Sequence, residues 1–325
     1  MVKAISIAEF KEIHIGHAQD MAAATGCTVI LCPKGAVCGV DVRGGSPGTR
    51  DTDALNPVNN RKCVHGILLA GGSSFGLDAA GGVMQYLEEH KIGRDVGCTI
   101  VPNVCGAILF DLKCGDYKIR PDKEMGYTAC INAFRQPLTS GSVGAGTGAT
   151  IGTVNGVEFA MKGGIGSAAF MAGDLMVGAV IAVNCVGDIF DSKSGNFIAG
   201  VLSGNKESLA CTEELMLDNY KNDRDFFSEN TVIGCIITNA DLTKAQATKL
   251  AAVGQNGLAR AIRPAHTVYD GDTIFTLCTG DIYADPDAIG VLAARAVEAA
   301  ILDAVTSADS LHGYISYKDF IKNNL

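Results

Sequence analysis

A threonine hydroxyl is a weak nucleophile until a base removes its proton. At the first residue of a chain, the threonine's own α-amine can be that base, because its pKa is about 7.7–8.0. The junction Asn230-Thr231 has the sequence setting for such chemistry. Residues 203–229, SGNKESLACTEELMLDNYKNDRDFFSE, are polar and charged, and TVIGCIIT (231–238) follows them abruptly. Its β-branched alternation predicts a half-buried strand starting at Thr231. A self-made cut between Asn230 and Thr231 would expose an amine and a hydroxyl together, with 203–229 an exposed, mobile linker able to move aside. On spacing alone, an ordinary loop-to-strand junction is the simpler reading. Downstream, Asp270-Gly271-Asp272 supplies two carboxylates that share one face if the segment is extended, able to orient the hydroxyl and hold the amine. Taken alone, a solvated Asp-Gly turn explains that triplet as well.

Two other motifs compete for the chemistry. Gly72-Ser73-Ser74-Phe75-Gly76 matches G-x-S-x-G ahead of a helical pattern, which makes Ser74 a candidate nucleophile with His266 as partner. The alternative is a glycine-rich loop at a helix N-terminus, in which the amides of Gly72, Ser73 and Ser74 are free to face a substrate. Gly144-Ala145-Gly146-Thr147-Gly148 resembles a dinucleotide loop, but TIGTVNGVEF after it is strand-like, so no cofactor is expected. The twelve cysteines contain no C-x-x-C pair and lack histidines at zinc spacing, so no metal is expected and buried, reduced thiols are.

The elements that must position these residues follow from periodicity. CTVILC (27–32) and AVCGVDVR (36–43) read as a hairpin, and GLDAAGGVMQYLEEH (76–90) and MGYTACINAFR (125–135) as helices. VEFAMK (157–162), SAAFMA (167–172) and LMVGAVIAVNCVG (175–187) are strand-like, the last two forming an antiparallel pair about AGD (172–174). After the Thr231 strand come helices over 242–262 and 286–305, with Pro286 in a first turn and TVYDGDTIFTLCTGD as a turn flanked by strand patterns. Glycines cluster at 43–51, 70–82, 140–152 and 162–167 beside these elements, as tight turns lining a site. The alternation predicts layered sheets between helices in one α/β domain spanning 1–325.

A net charge of -9 argues against nucleic acid. MVKAISIAEFKEIHIGHAQD lacks a secretory apolar region and no run suits a membrane span, so the expectation is a cytoplasmic protein without a membrane partner.

Across nearly its whole length the chain resembles the DmpA-type aminopeptidases, the family of L-aminopeptidase/D-esterases, β-aminopeptidases and nylon-oligomer hydrolases. IGHAQD (15–20), TGCTVIL (25–31), RGGSPGTRDTDAL (43–55), GGSSFGLDAAGGV (71–83), VPNVCGAILFDL (101–112), GSVGAGTGAT (141–150), KGGIGSA (162–168), VNCVGDIFD (183–191) and NTVIGCIITNA (230–240) carry the resemblance in order. It implies a four-layer αββα sandwich of the DmpA/ornithine-acetyltransferase type, resembling Ntn hydrolases. It also implies self-cleavage into a large chain 1–230 and a small chain 231–325 that stay together, and assembly as a tetramer of such pairs. The implied roles are Thr231 as nucleophile, Asp270 and Asp272 as its positioning pair, Asn184 as oxyanion donor and Lys162 as a lysine near the nucleophile. At Phe110 some members carry tyrosine, so one polar contact of the pocket is expected to be missing. The implied reaction is hydrolysis of an amide, of a peptide or of an amino-acid amide with a free amine. Acyl transfer of the ornithine-acetyltransferase type and a non-catalytic protein retaining the fold are the alternatives.

Overall fold

The structure is a computed structural model that describes residues 1–221 and 230–323. Nine strands and four helices build its framework: β1 (Val2–Ile5), β2 (His14–Asp20), β3 (Thr25–Val42), β4 (Val64–Ala70), α1 (Ala79–Glu89), β5 (Val104–Ile108), α2 (Lys123–Arg135), β6 (Gly164–Ala172), β7 (Leu175–Asn184), β8 (Thr231–Ala240), α3 (Lys244–Ala261), β9 (Thr273–Ile282) and α4 (Pro286–Ser307). One sheet runs β1-β6-β7-β8-β9 and ends on the second half of β3; the other joins the first half of β3 to β2 and β4, and β4 to β5.

Alternation along the strands makes four layers. On β8, Ile233, Cys235 and Ile237 point into a core shared with Ile30, Ile67 and Leu69 of the other sheet. Val232 and Ile236 of the same strand pack with Leu250 and Leu258 of α3 and Val297 and Ile301 of α4. On the far side, Val29, Leu31 and Leu68 pack against Val83 and Leu87 of α1 and Ala129 of α2. The αββα expectation is thus met. β8 is buried on both faces over its full length, where the alternation predicted half-burial. Gly234 and Thr238 interrupt the apolar pattern without exposing either face.

Three further readings change. Residues 27–32 and 36–43 form no hairpin: β3 is continuous and slips register between Leu31 and Ala36, with Gly35 at φ +79°, so its halves serve two sheets. In 157–162 only Met161–Lys162 is extended, after a single 3-10 turn over Val157–Phe159. Within 203–229, read as irregular, Thr212–Asp218 is a short helix whose Thr212 is buried, donating from its backbone N and Oγ1 to Asp188. The end of that segment, 222–229, lies outside the described residues. The β6–β7 pair turns at Gly173-Asp174 as expected, Ala172 facing Leu175. All twelve cysteines are free, and nine of them are buried. Among the described residues no helix is long and apolar enough to cross a membrane.

Candidate active site

Strand direction brings the candidate residues to one end of the first sheet. β7 and β8 are antiparallel, so the last residue of β7, Asn184, faces the first of β8, Thr231. β8 and β9 are parallel, so the residues leading into β9 arrive beside Thr231 as well: Asn230 bridges Asp270, and Ile233 pairs with Thr273.

The bond before Thr231 is held by both sides of this arrangement. The Thr231 hydroxyl donates to the carbonyl oxygen of Asn230 at 2.6 Å. The backbone N–H of Gly271 donates to the same oxygen at 2.9 Å. Asn230 and Thr231 are 3% and 2% exposed, so this hydroxyl and carbonyl meet away from bulk water. A Cβ on Gly271 would lie 2.7 Å from Thr231 Oγ1 and 2.8 Å from the Ser46 carbonyl, so the close approach requires glycine.

Asp270 and Asp272 lie ahead of β9 rather than within a strand, and their carboxylates do different things. Asp272 Oδ1 accepts from the backbone N of Val232 at 2.9 Å, while its Oδ2 accepts from His266 N at 3.0 Å and contacts His266 Nδ1 at 2.7 Å. Asp272 therefore fixes the chain just after Thr231. Asp270 Oδ2 accepts from Thr267 N at 2.8 Å, and its Oδ1, also buried, has no partner. Burial first, then the adjacent Asp272 carboxylate, holds Asp270 well above the usual carboxylate range. The glycine run 43–51 wraps this pair from outside: Arg43 N donates to Asp272 O and Ser46 N to Asp270 O.

Asn184 is fully buried. Its Oδ1 accepts from Thr150 N at 2.9 Å, which leaves Nδ2 as a buried donor with no partner among the described residues. A buried, unpaired N–H costs roughly 1–3 kcal/mol, and such groups in native proteins call for an account. This donor sits on the residue that faces Thr231 across the β7–β8 pair.

Lys162 is fully buried, and burial lowers its pKa to about 8. Its Nζ donates to the carbonyls of Gly146 (2.9 Å), Ala149 (2.9 Å) and Gly163 (3.0 Å). With all three donors on carbonyls, it braces the loop that carries Thr150, and so acts on Asn184 from behind. Within the 144–148 glycine run, the Gly146 carbonyl thus faces a cation.

The serine loop adjoins the site through Asp111, which lines the cleft at Asn230. Gly72 N donates to Asp111 Oδ1 at 2.6 Å and Ser73 N to Leu109 O at 3.0 Å, so these amides are spent inside the fold rather than free for a substrate. Ser74 is exposed, and the residue with positive φ is its neighbour Ser73. His266, the proposed partner of Ser74, instead contacts Asp272. Phe110 does reach the site: with Thr150, Thr153 and Tyr314 it lines a small cleft against Asn230. Sequence reasoning missed His266 and Gly271 as members of the site around Thr231. The histidine's only cue was its nearness in sequence to the acid pair, and a backbone N–H has no side-chain signature.

A model of peptidase family S58 matches residues 6–318, which include every residue of this site. An uncharacterised aminopeptidase of Mycobacterium leprae (strain TN) is 38% identical, the match covering 96% of this chain and 93% of that protein. A 6-aminohexanoate-oligomer endohydrolase of Kocuria sp. (strain KY2) is 31% identical over 84% of this chain and 75% of its own. The solved L-aminopeptidase D-Ala-esterase/amidase of Ochrobactrum anthropi, described as a variant of the Ntn hydrolase fold, superposes with a TM-score of 0.69 over 96% of this chain and 92% of that one, at 15% identity. The DmpA-type resemblance read from the sequence stands, and the chain belongs to peptidase family S58, hydrolases of peptide and amide bonds.

Proposed function

We propose that the protein is a self-processing amidase or aminopeptidase, cut between Asn230 and Thr231, with Thr231 as its nucleophile. The observation that carries this reading is the Thr231 hydroxyl lying 2.6 Å from the carbonyl oxygen of the bond to be cut, with Gly271 N–H on that same oxygen. In maturation, Thr231 Oγ1 bonds to the Asn230 carbonyl carbon, the C–N bond breaks, and the hydroxyl proton passes to the Thr231 nitrogen. Water then hydrolyses the ester, leaving a carboxylate on Asn230 and a free amine and hydroxyl on Thr231. In turnover the neutral amine takes the hydroxyl proton as Oγ1 attacks a substrate amide, and the leaving amine takes that proton. Asn184 Nδ2 is the donor free to meet the carbonyl oxygen as it becomes negative. Asp272 holds Val232 N, keeping the nucleophile's backbone in register. The substrate is a peptide or amino-acid amide, and large and small chains stay together through the shared sheet, β7 pairing with β8 across the cut.

Mass spectrometry of the purified protein tests the proposal. Two fragments are expected, the smaller beginning at Thr231, and Thr231→Ala should remain a single chain. Cleavage of that variant at the same bond without added protease would overturn the mechanism.

A further inference from the structure

We propose that the pocket filled by the Asn230 side chain is the acyl-side specificity pocket of the processed enzyme, and that Thr153 makes it select acyl groups ending in a hydrogen-bond donor, asparaginyl above all. This rests on Thr231 being the nucleophile. During maturation the acyl carbon of residue 230 is esterified to Thr231 Oγ1. In turnover, the acyl carbon of a substrate is bonded to that same oxygen. The two acyl groups therefore occupy one covalent position in succession, and the walls around the first are the walls offered to the second.

Those walls are specific. Asn230 Nδ2 donates to Thr153 Oγ1 at 2.6 Å, and Thr153 is itself only 6% exposed. Phe110, Thr150 and Tyr314 stand on the same cleft, which retains about 20 Å³ of free space, room for about one water. The pocket is thus close to full with a side chain the size of asparagine. Once Asn230 leaves the cleft, the Thr153 hydroxyl loses that partner. An apolar acyl group of the same shape would bury the hydroxyl unpaired, whereas a carboxamide or an amine at the end of a short arm restores the bond. Sites built to pair with a polar group discriminate strongly against analogues that lack it.

The experiment compares asparagine and leucine p-nitroanilides, which are similar in shape, on the processed enzyme. The wild type should have the higher kcat/KM on the asparagine substrate. Thr153→Val should lower the asparagine-to-leucine ratio by about tenfold or more, and Thr153→Ser should restore it. A general packing defect would depress both substrates and leave the ratio unchanged. Maturation supplies a second measurement, since Asn230 is the first acyl group the pocket sees. Thr153→Val and Asn230→Leu should each slow self-cleavage, and the double variant should be no slower than the slower single one. An unchanged ratio in Thr153→Val, a wild-type preference for leucine, or fully additive slowing overturns the proposal. A wild-type chain that stays uncut and is inactive on both substrates would remove the Thr231 reading itself, and the pocket assignment with it.

Discussion

Replacing Asn184 by alanine removes two interactions that the structure separates. The first is structural: Oδ1 accepts from Thr150 N, and without it that buried N–H loses its partner, a cost of roughly 1–3 kcal/mol in stability. Deleting the unpaired Nδ2 offsets part of this, so the net loss belongs at the lower end. The second is chemical: the donor for the developing oxyanion disappears, a loss of about 10²–10³ in kcat, or roughly 2.7–4 kcal/mol of transition-state stabilisation. Asn184→Asp divides the two. It keeps an acceptor for Thr150 but puts an acceptor where a donor is needed, so turnover should fall at least as far, while a fully buried carboxyl with one oxygen unpaired adds a stability cost of its own. Gly271 N–H, which holds the Asn230 oxygen in the intact chain, remains in both variants, so maturation and turnover should both slow without being abolished. The assay is steady-state hydrolysis of an amide substrate by protein whose fragments have the expected masses, with denaturant unfolding alongside. A fully processed Asn184→Ala enzyme with a kcat within about threefold of wild type would refute the reasoning, since one lost oxyanion donor cannot cost so little.

Asp270→Asn and Asp272→Asn should each keep the fold and lose most turnover; two variants with near wild-type rates would leave Thr231 without these helpers. Asp272→Asn should also lose about 1–3 kcal/mol of stability, read by denaturant unfolding, because an amide nitrogen must then face one of the donors from Val232 or His266. Ser74→Ala should leave kcat unchanged and stability within about 0.5 kcal/mol, since Ser74 is exposed; a large loss of turnover would revive the nucleophile-elbow reading. Lys162 has a folded pKa of about 8 against 10.5 for a free lysine, so between those values the unfolded chain binds more protons and wild-type stability rises with pH. That contribution is complete above 10.5 and lost as pH falls through 8, and Lys162→Met should flatten the rise when unfolding is followed across this window. An unchanged slope would mean that Lys162 does not titrate there.

Much of the framework is legible in the sequence because it is periodic. The helices over Lys244–Ala261 and Pro286–Ser307 carry apolar stripes and are capped by Thr243 and Asp285, signals that survive any tertiary context. The bend in β3 was not legible. Pro33-Lys34-Gly35 has the composition of a hairpin turn, and only the partner strands decide that the chain continues in register-shifted form into a second sheet. The half-buried reading of β8 failed for a related reason: alternation reports which residues differ, not whether helices cover the second face. Within the site, Thr231, Asn184 and the acid pair could be named from the motifs that surround them. Their division of labour could not. Whether Asp272 touches the hydroxyl or the following backbone N–H depends on a loop of six residues, 267–272, whose geometry is fixed by contacts with the distant run 43–51. Lys162 shows the same limit: the resemblance placed a lysine near Thr231, but its three carbonyl partners could not be read from the sequence.

Under the proposed cleavage, the topology would let one set of residues serve a precursor and a processed enzyme. In the intact chain position 231 carries a neutral amide, and Asp270, buried next to Asp272, is held toward its protonated form. Under the proposed cleavage the same nitrogen becomes an amine, a titratable base placed beside two carboxylates without any strand having to move. A positive charge there draws Asp270 back toward ionisation, and the carboxylates in turn raise the amine's pKa, which works against the neutral form that must accept the hydroxyl proton. Both carboxylates fully charged and unshared would therefore be a handicap. The pairing pattern limits it: Asp272 already accepts from Val232 N and His266 N and contacts His266 Nδ1, which offsets part of its pull on the amine. Asp270 Oδ1 is then an acceptor and Asn184 Nδ2 a donor left uncommitted among the described residues, as are His266 Nε2 and Thr267 Oγ1. A precursor that satisfied them all would be more stable and would have nothing left to offer a substrate.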